Sequence, residues 1–169
     1  VVGDCTGHGV PGAMLTFLGI NLLNQIYNEI GGLDPARLLQ LLNLRLVGYL
    51  QAEHGEAPLA DGMDAIAMRF CLSNHRLVYS SANLGFTLLR GGTVERVKNS
   101  KLSIGGLPME DEDDPMLRIY PNDEFQFGPG DRMLIYTDGL PDQLGFKGNR
   151  IAKLGHAAIH EHFAQMLPL

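Results

Sequence analysis

The first thirty residues change from a short apolar stretch to a helical pattern. Two valines precede a glycine-rich segment at residues 3–9, and apolar residues then recur every three or four positions as far as Ile26. This order predicts a strand, a turn and a helix over residues 10–30. Pro11 suits the first helical turn, and Gly31-Gly32 predicts the end of the helix.

A second helix is predicted directly after the first. Asp34 is a suitable N-cap and Pro35 a suitable first helical residue. A stripe of leucines follows on one face: Leu38, Leu39, Leu42, Leu46 and Leu50. The helical pattern fades near His54. Two long helices joined by a short loop predict an antiparallel pair, and we expect the leucine stripe to lie in the core.

Later residues favour strands. The predicted strands cover residues 65–70, 76–82, 85–90, 94–97, 124–127 and 132–136, and a last helix is predicted over residues 149–166. Helices in one block and strands in another indicate an α+β fold with antiparallel sheets. The 169 residues show no repeat and no long linker, so one domain over residues 1–169 is expected.

Composition narrows the possible partners and compartments. The net charge is −6 and no basic patch stands out, so nucleic acid is not expected as a partner. Polar residues interrupt every apolar stretch, which predicts no membrane span. Cys5 and Cys71 cannot make a disulfide framework, so a reducing cytoplasm is expected. The chain begins with Val inside a predicted strand, and we interpret it as a fragment of a longer protein.

The segment at residues 3–9 carries the first candidate chemistry. Asp4 lies at the end of the predicted strand, and a lone carboxylate at such a turn is a candidate ligand for a metal or for a phosphate-bound cation. Residues 7–12 also match the dinucleotide-binding pattern G-x-G-x-x-G. That fold needs a second strand and an acid roughly 20 residues further on. Here this distance reaches Glu29 or Asp34 at a helix–helix junction, so the dinucleotide reading is disfavoured.

A second acid occupies a matching position. Asp138 follows an apolar predicted strand and precedes Gly139. By itself this Asp-Gly pair could be a simple turn. If the fold brings Asp4 and Asp138 together, they supply two hard oxygen ligands suited to Mg²⁺ or Mn²⁺.

These segments resemble a known family. Residues 3–13, GDCTGHGVPGA, and residues 136–143, YTDGLPDQ, are similar to the signature motifs of the SpoIIE-type metal-dependent protein phosphatases, in the PPM or type 2C superfamily. Four further segments follow the family's order: residues 61–64, 81–83, 105–108 and 128–131. The resemblance covers essentially the whole chain.

The resemblance implies a four-layer αββα sandwich with a dinuclear Mg²⁺ or Mn²⁺ site. Asp4 matches the acid that bridges both metals, and Asp138 matches a second metal-binding acid, so these two are the catalytic candidates. Cys5 matches the position whose backbone carbonyl is a ligand, which makes its thiol incidental. Asp142 matches an acid sometimes associated with a further, weaker metal.

The implied activity is hydrolysis of phosphoserine or phosphothreonine on a protein, by a metal-activated water, in bacterial signalling. The alternative is a pseudophosphatase, a non-catalytic module that binds a phosphoprotein or a partner domain. The resemblance also implies a homodimer formed through the helix pair and an upstream sensor domain. The family's opening strands and its closing strand, which carries a further metal ligand, have no counterpart in this sequence.

Several other polar residues have two interpretations each. His8 could belong to the site or could pack the turn. Asp64 could be a site acid, but a polar strand start is favoured. His156 and His160 share a helix face and could bind a metal, but a solvated face is favoured.

Overall fold

A computed structural model describes residues 1–31, 34–54, 60–98, 100–107, 114–147 and 150–166. Its elements in chain order are β1 (Val2–Cys5), α1 (Gly9–Ile30), α2 (Pro35–His54), β2 (Gly62–Cys71), β3 (Arg76–Ala82), β4 (Phe86–Arg90), β5 (Thr93–Val97), β6 (Ile104–Gly105), a 3₁₀ turn (Pro115–Leu117), β7 (Asp123–Gln126), β8 (Arg132–Leu134), β9 (Leu144–Lys147), β10 (Arg150–Lys153) and α3 (Gly155–Gln165). None of the described helices has the length and apolar character needed to cross a membrane.

The strands form two antiparallel sheets and a separate hairpin. The first sheet has the order β1-β2-β3-β7, and the short strand β6 also pairs with β2. The second sheet has the order β5-β4-β8, and β9 pairs with β10. Although β7 and β8 are neighbours in the chain, they belong to different sheets, so the intervening turn carries the chain from one layer to the other.

Two apolar cores separate the layers. One lies between the first sheet and the helix pair, where Leu22, Leu39 and Leu42 pack against Ala65 and Ala67 of β2. The other lies between the two sheets and contains Ile66, Leu77, Tyr79, Leu84, Phe86 and Leu88. On the outer face of the second sheet, α3 contacts β4 and β5 and buries Ile159 and Phe163. The layers are therefore helix, sheet, sheet, helix.

This architecture confirms the predicted α+β class and the αββα order implied by the resemblance. The cap of α2 is confirmed as well, because Asp34 Oδ1 accepts from the backbone amides of Ala36 and Arg37 at 3.1 and 3.4 Å. The leucine stripe of α2 lies in the core, with Leu38, Leu39, Leu42 and Leu46 buried.

The prediction of a single helix over residues 149–166 is wrong at its beginning. Residues 150–153 form β10, and α3 begins only at Gly155, whose φ is +74°. A left-handed backbone conformation of this kind is incompatible with a helix interior, so it separates the strand from the helix. The hairpin of β9 and β10 was not predicted.

Candidate metal centre

Asp4 and Asp64 lie opposite each other on neighbouring strands. They are register partners in the antiparallel pair of β1 and β2. Val2 and Ile66, two residues away from each acid, pack into the core between the sheets. Because alternate residues of a strand share a face, both carboxyls project toward the second sheet at the end of the sandwich.

The turn after Asp4 is bound to the beginning of β2. The amide of Thr6 donates to Gly62 O at 2.9 Å, and the amide of Gly62 donates to Thr6 Oγ1 at 2.9 Å. Gly7 has a φ of +85°, and a Cβ on Gly12 would lie 2.8 Å from Gly7 O. The glycines therefore allow the turn to pack closely against the first residues of α1.

Asp138 comes from the second sheet. It follows β8 in a tight turn, in which the amide of Asp142 donates to Asp138 O at 3.0 Å and the amide of Leu140 donates to Thr137 O at 3.2 Å. The turn directs this segment back toward the end of β1. Two acids that are 134 positions apart in the sequence thus arrive at one place from different sheets.

The two carboxyls interact directly. Burial raises the pKa of Asp4, and the adjacent carboxyl of Asp138 raises it further. The backbone amide of Asp138 and the hydroxyl of Thr137 act in the opposite direction, because they interact favourably with the charged form. Asp4 is therefore a carboxyl held beside a second acid, an arrangement that a cation between them would stabilise.

Asp64, near the start of β2, lines the same cavity as Asp4 and has two side-chain partners. Its Oδ2 accepts from Asn83 Nδ2 at 2.7 Å and its Oδ1 accepts from Ser103 Oγ at 2.6 Å. Its position opposite Asp4 depends on the register of β1 and β2, which sequence patterns leave open. Residues 61–64 and 81–83, two of the segments that follow the family's order, thus meet at the carboxylate of Asp64.

The three acids line one cavity of about 470 Å³. Its other lining residues include Arg96 of β5, Lys98 directly after that strand, Tyr136 before the Asp138 turn, and His156 of α3. The cavity is consequently lined both by acids, which we call its acidic side, and by cations, which we call its basic side. A site of this kind can hold a cation and an anionic group next to each other.

Comparison with known proteins identifies the family. The model of the family described as Stage II sporulation protein E (SpoIIE) matches residues 1–167. The chain belongs to the SpoIIE family. No curated protein sequence matches it.

Solved structures of related domains share the fold. The SiaA-PP2C domain of Pseudomonas aeruginosa is 26% identical with a TM-score of 0.73, and the match covers 96% of this chain and 58% of that domain. The SpoIIE phosphatase domain with a regulatory fragment from Bacillus subtilis is 19% identical with a TM-score of 0.56, covering 82% and 35%. The serine/threonine phosphatase PstP/Ppp of Mycobacterium tuberculosis is 17% identical with a TM-score of 0.54, covering 83% and 68%. This SpoIIE-family chain thus spans only part of the first two.

The remaining candidate residues differ in their relation to the cavity. Cys5 lines it, while its side chain packs against the core beneath the helices. The carboxylate of Asp142 pairs with Lys153 Nζ at 2.8 Å and is not among the residues that line the cavity with Asp4. His8 is exposed and lies on a neighbouring depression beside α1.

The two histidines of α3 have a role that neither interpretation anticipated. The hydroxyl of Tyr136 lies 3.0 Å from Nδ1 of His156 and 3.1 Å from Nε2 of His160. These contacts join α3 to the segment that carries Asp138. Because His156 and His160 lie about one helical turn apart, both rings contact the same tyrosine hydroxyl.

The donor chemistry of the acidic side fits part of a divalent-cation site. Two adjacent carboxylates, together with the backbone carbonyl expected at Cys5, are hard oxygen donors of the type that Mg²⁺ and Mn²⁺ prefer. Within the described ranges, no group of three or more His, Cys, Asp or Glu side chains is arranged to hold a metal ion. Asp64 lies nearby, but Asn83 and Ser103 already bind its carboxylate.

Proposed function

We propose that this chain is the core of a metal-dependent protein serine/threonine phosphatase in bacterial signalling. The observation that carries the proposal is the meeting of Asp4 and Asp138 in a cavity that also contains basic side chains. Membership of the SpoIIE family agrees with it. A fold alone does not establish an activity, so the proposal depends on these residues.

In this proposal, the chain's own residues hold and orient the reacting groups. Asp4, Asp138 and the backbone carbonyl of Cys5 would bind Mg²⁺ or Mn²⁺. A pair of such ions, when bound, supplies an activated water and neutralises charge on the phosphoryl group. Thr137 and the amide of Asp138 stabilise the charged form of Asp4, which keeps it competent as a ligand. Asp142 is not included in this set, because its carboxylate pairs with Lys153.

The test is phosphate release from a phosphoserine peptide by the full-length protein with added Mn²⁺. We expect Asp4→Ala and Asp138→Ala each to lower kcat/KM by about 100-fold or more, because each removes a proposed ligand. Glu161→Ala, an exposed acid on α3, is the matched control and should retain wild-type activity. Equal activity in wild type and both aspartate variants would refute the mechanism.

The same experiment separates the enzyme from its alternative. A full-length protein that binds the phosphopeptide with Mn²⁺ present but releases no phosphate would be a non-catalytic signalling module.

The proposal includes a phosphorylated protein as substrate, an upstream sensor domain and a homodimer formed through the helix pair. An exposed apolar face on α1 supports the dimer: Val10, Met14, Phe17, Ile20 and Tyr27 are all exposed there, with Val10 at 72% and Phe17 at 71%. The free thiols of Cys5 and Cys71 agree with a reducing compartment such as the cytoplasm.

A further inference from the structure

Arg96 and Lys98 present two positive charges to the cavity that contains Asp4. Arg96 lies on β5 and Lys98 directly follows the strand, while Val97 between them packs against the core between the sheets. Since side chains alternate along a strand, Arg96 lies on the face opposite Val97. Both side chains are exposed, and both line the cavity.

Arg96 is held in position by the segment that carries Asp138. Its Nη1 lies 3.3 Å from Nδ1 of His156, and its Cζ lies 5.7 Å from the centre of the Tyr136 ring. A guanidinium has only donors, so Nδ1 of His156 is the acceptor in this contact. Since the Tyr136 hydroxyl also lies against His156, the three side chains form one connected group. The remaining donors of Arg96 are available to an anion.

Lys98 is held by the segment that positions Asp64. Its Nζ donates to Asn83 Oδ1 at 3.0 Å, while Nδ2 of the same Asn83 donates to Asp64. Asn83 has a φ of +59°, an uncommon conformation for a residue other than glycine. The Asn83 side chain thus separates the ammonium group from the nearest acid.

Neither cation is neutralised by an acid in the described part of the chain. No carboxylate oxygen there lies within 4.0 Å of the charged nitrogens of Arg96 or Lys98. Three acids share the same cavity, and yet the basic groups remain apart from them. This separation leaves the basic side free to bind an anionic group while the acidic side binds cations.

We infer that Arg96 and Lys98 form a phosphate-binding wall that holds the phosphoryl oxygens of the substrate opposite Asp4 and Asp138. The inference rests on the proposed function, since it names the residues that position the phosphorylated side chain at the proposed metal centre. Arg96 binds two oxygens through its planar fork, and Lys98 contributes a point charge. Both residues contact the phosphoryl group itself and act on substrate binding.

The experiment uses the full-length protein with Mn²⁺, a phosphoserine peptide as substrate and inorganic phosphate as inhibitor. The variants are Arg96→Ala, Arg96→Gln and Lys98→Ala. Matched controls are Arg69→Ala and Lys101→Ala, which remove exposed cations outside the cavity. We expect the wall variants to raise KM and the inhibition constant of phosphate about tenfold each, with a smaller change in kcat, because a charge-assisted contact is lost. The controls should match wild type.

The second measurement is the rise in unfolding temperature that Mn²⁺ produces. It should be the same in wild type and in the wall variants, because these residues bind the anion rather than the metal. An unchanged inhibition constant in both Arg96 variants and in Lys98→Ala would overturn the inference. So would a loss of the Mn²⁺ effect in these variants, since the residues would then act on the metal centre.

Failure of the proposed function gives a different result. If the wild-type protein releases no phosphate from the peptide, the phosphatase proposal fails, and calorimetry with inorganic phosphate then tests the wall alone. Weaker phosphate binding in the wall variants than in Arg69→Ala and Lys101→Ala would support it. Equal binding in all of them, or no binding by wild type, would overturn it.

Discussion

Asp4 combines an unfavourable electrostatic environment with a proposed ligand role. Burial and the neighbouring carboxyl of Asp138 raise its pKa above the ordinary value of 3.8. Because the folded-state pKa lies above the unfolded one, ionised Asp4 opposes folding at neutral pH. This cost disappears as the pH falls below the unfolded value. Bound divalent cations would remove the same cost at neutral pH.

We therefore expect Asp4→Asn, in a metal chelator at pH 7, to unfold at a higher temperature than wild type. The gain should shrink as the pH falls toward 4, because protonation of wild-type Asp4 progressively removes this cost. Mn²⁺ at 100 times its dissociation constant should stabilise wild type by about 2.7 kcal/mol and the variant by much less. Thermal unfolding between pH 4 and 7 measures both effects, with Glu161→Gln as the control. A variant that is no more stable than wild type at pH 7 would contradict this account.

At the residue scale, the sequence predicted the acids at strand ends but not the residues that arrange them. Asp4 and Asp138 stood out because each follows an apolar strand and precedes a glycine or a small residue. Asp64 and Asn83 did not, because their roles depend on which residues face each other across β1, β2 and the turn after β3. Arg96 lies in an ordinary hairpin strand and Lys98 directly after it, and the sequence offers no sign that this segment borders the cavity.

At the element scale, the periodicity of apolar residues predicted where helices and strands lie better than it predicted which of their faces are buried. The apolar residues at helical spacing in α1 include Val10, Met14 and Phe17, which are exposed, whereas Gly12, Leu15 and Gly19 are buried. The small glycines let the helix approach the turn after β1 and Met63 of β2, and a hydrophobicity pattern does not weigh such positions. The hairpin of β9 and β10 was missed for a related reason, since its apolar residues Phe146 and Ile151 are exposed and form no buried pattern.

The backbone at Gly62, the first residue of β2, is tightly packed next to the turn that follows Asp4. A Cβ at this position would lie 2.4 Å from Ile104 O and 2.8 Å from Gly106 N, both backbone atoms of the β6 segment. The backbone of Gly62 also binds Thr6 in the turn after Asp4. Gly62→Ala must therefore separate β2 from β6 or displace the Asp4 turn.

We expect Gly62→Ala to lower the free energy of unfolding by about 1 to 3 kcal/mol, as overpacking does. Gly145→Ala in β9 is the matched control, because a Cβ there meets no atom within 4 Å, and it should change stability by less than about 0.5 kcal/mol. Urea unfolding of both variants provides the comparison. Equal stability of the two would show that the β2–β6 contact tolerates a methyl group.

At the scale of the whole molecule, the order of layers follows from long-range pairing. The sequence predicted a helix block and a strand block, and the family resemblance predicted the αββα sandwich. The assignment of each strand to a sheet required information that local patterns lack. β7 and β8 resemble a hairpin in the sequence, but β7 joins β3 and β8 joins β4. This division is what brings Asp138 to the end of the sandwich where Asp4 lies.

A buried arginine connects the layers to the site. Arg118 is 4% exposed and donates to the carbonyls of Ser103 and Leu107 at 2.8 and 2.9 Å, and also to that of Gly105. Asn43 of α2 accepts from the amide of Gly105 at 2.9 Å. The loop at residues 103–107 is thereby held between α2 and Arg118, and its Ser103 donates to Asp64.

Arg118→Met should consequently affect both stability and the site. It leaves three backbone carbonyls without their charged donor, so we expect a loss of about 3 to 5 kcal/mol in the free energy of unfolding. Arg118→Lys should recover only part of this loss, because one ammonium group cannot reproduce the planar fork that reaches several carbonyls. Arg69→Met, at an exposed arginine of β2, is the control for the change of side chain, and its stability should remain close to that of wild type.

Urea unfolding tests the expected loss of stability. The effect on the site is tested by the hydrogen-exchange rate of the Ser103 and Gly105 amides, which should rise more in Arg118→Lys than in Arg69→Met. Amide exchange unchanged in Arg118→Lys would mean that α2 alone holds the loop, and that Asp64 does not depend on the buried arginine.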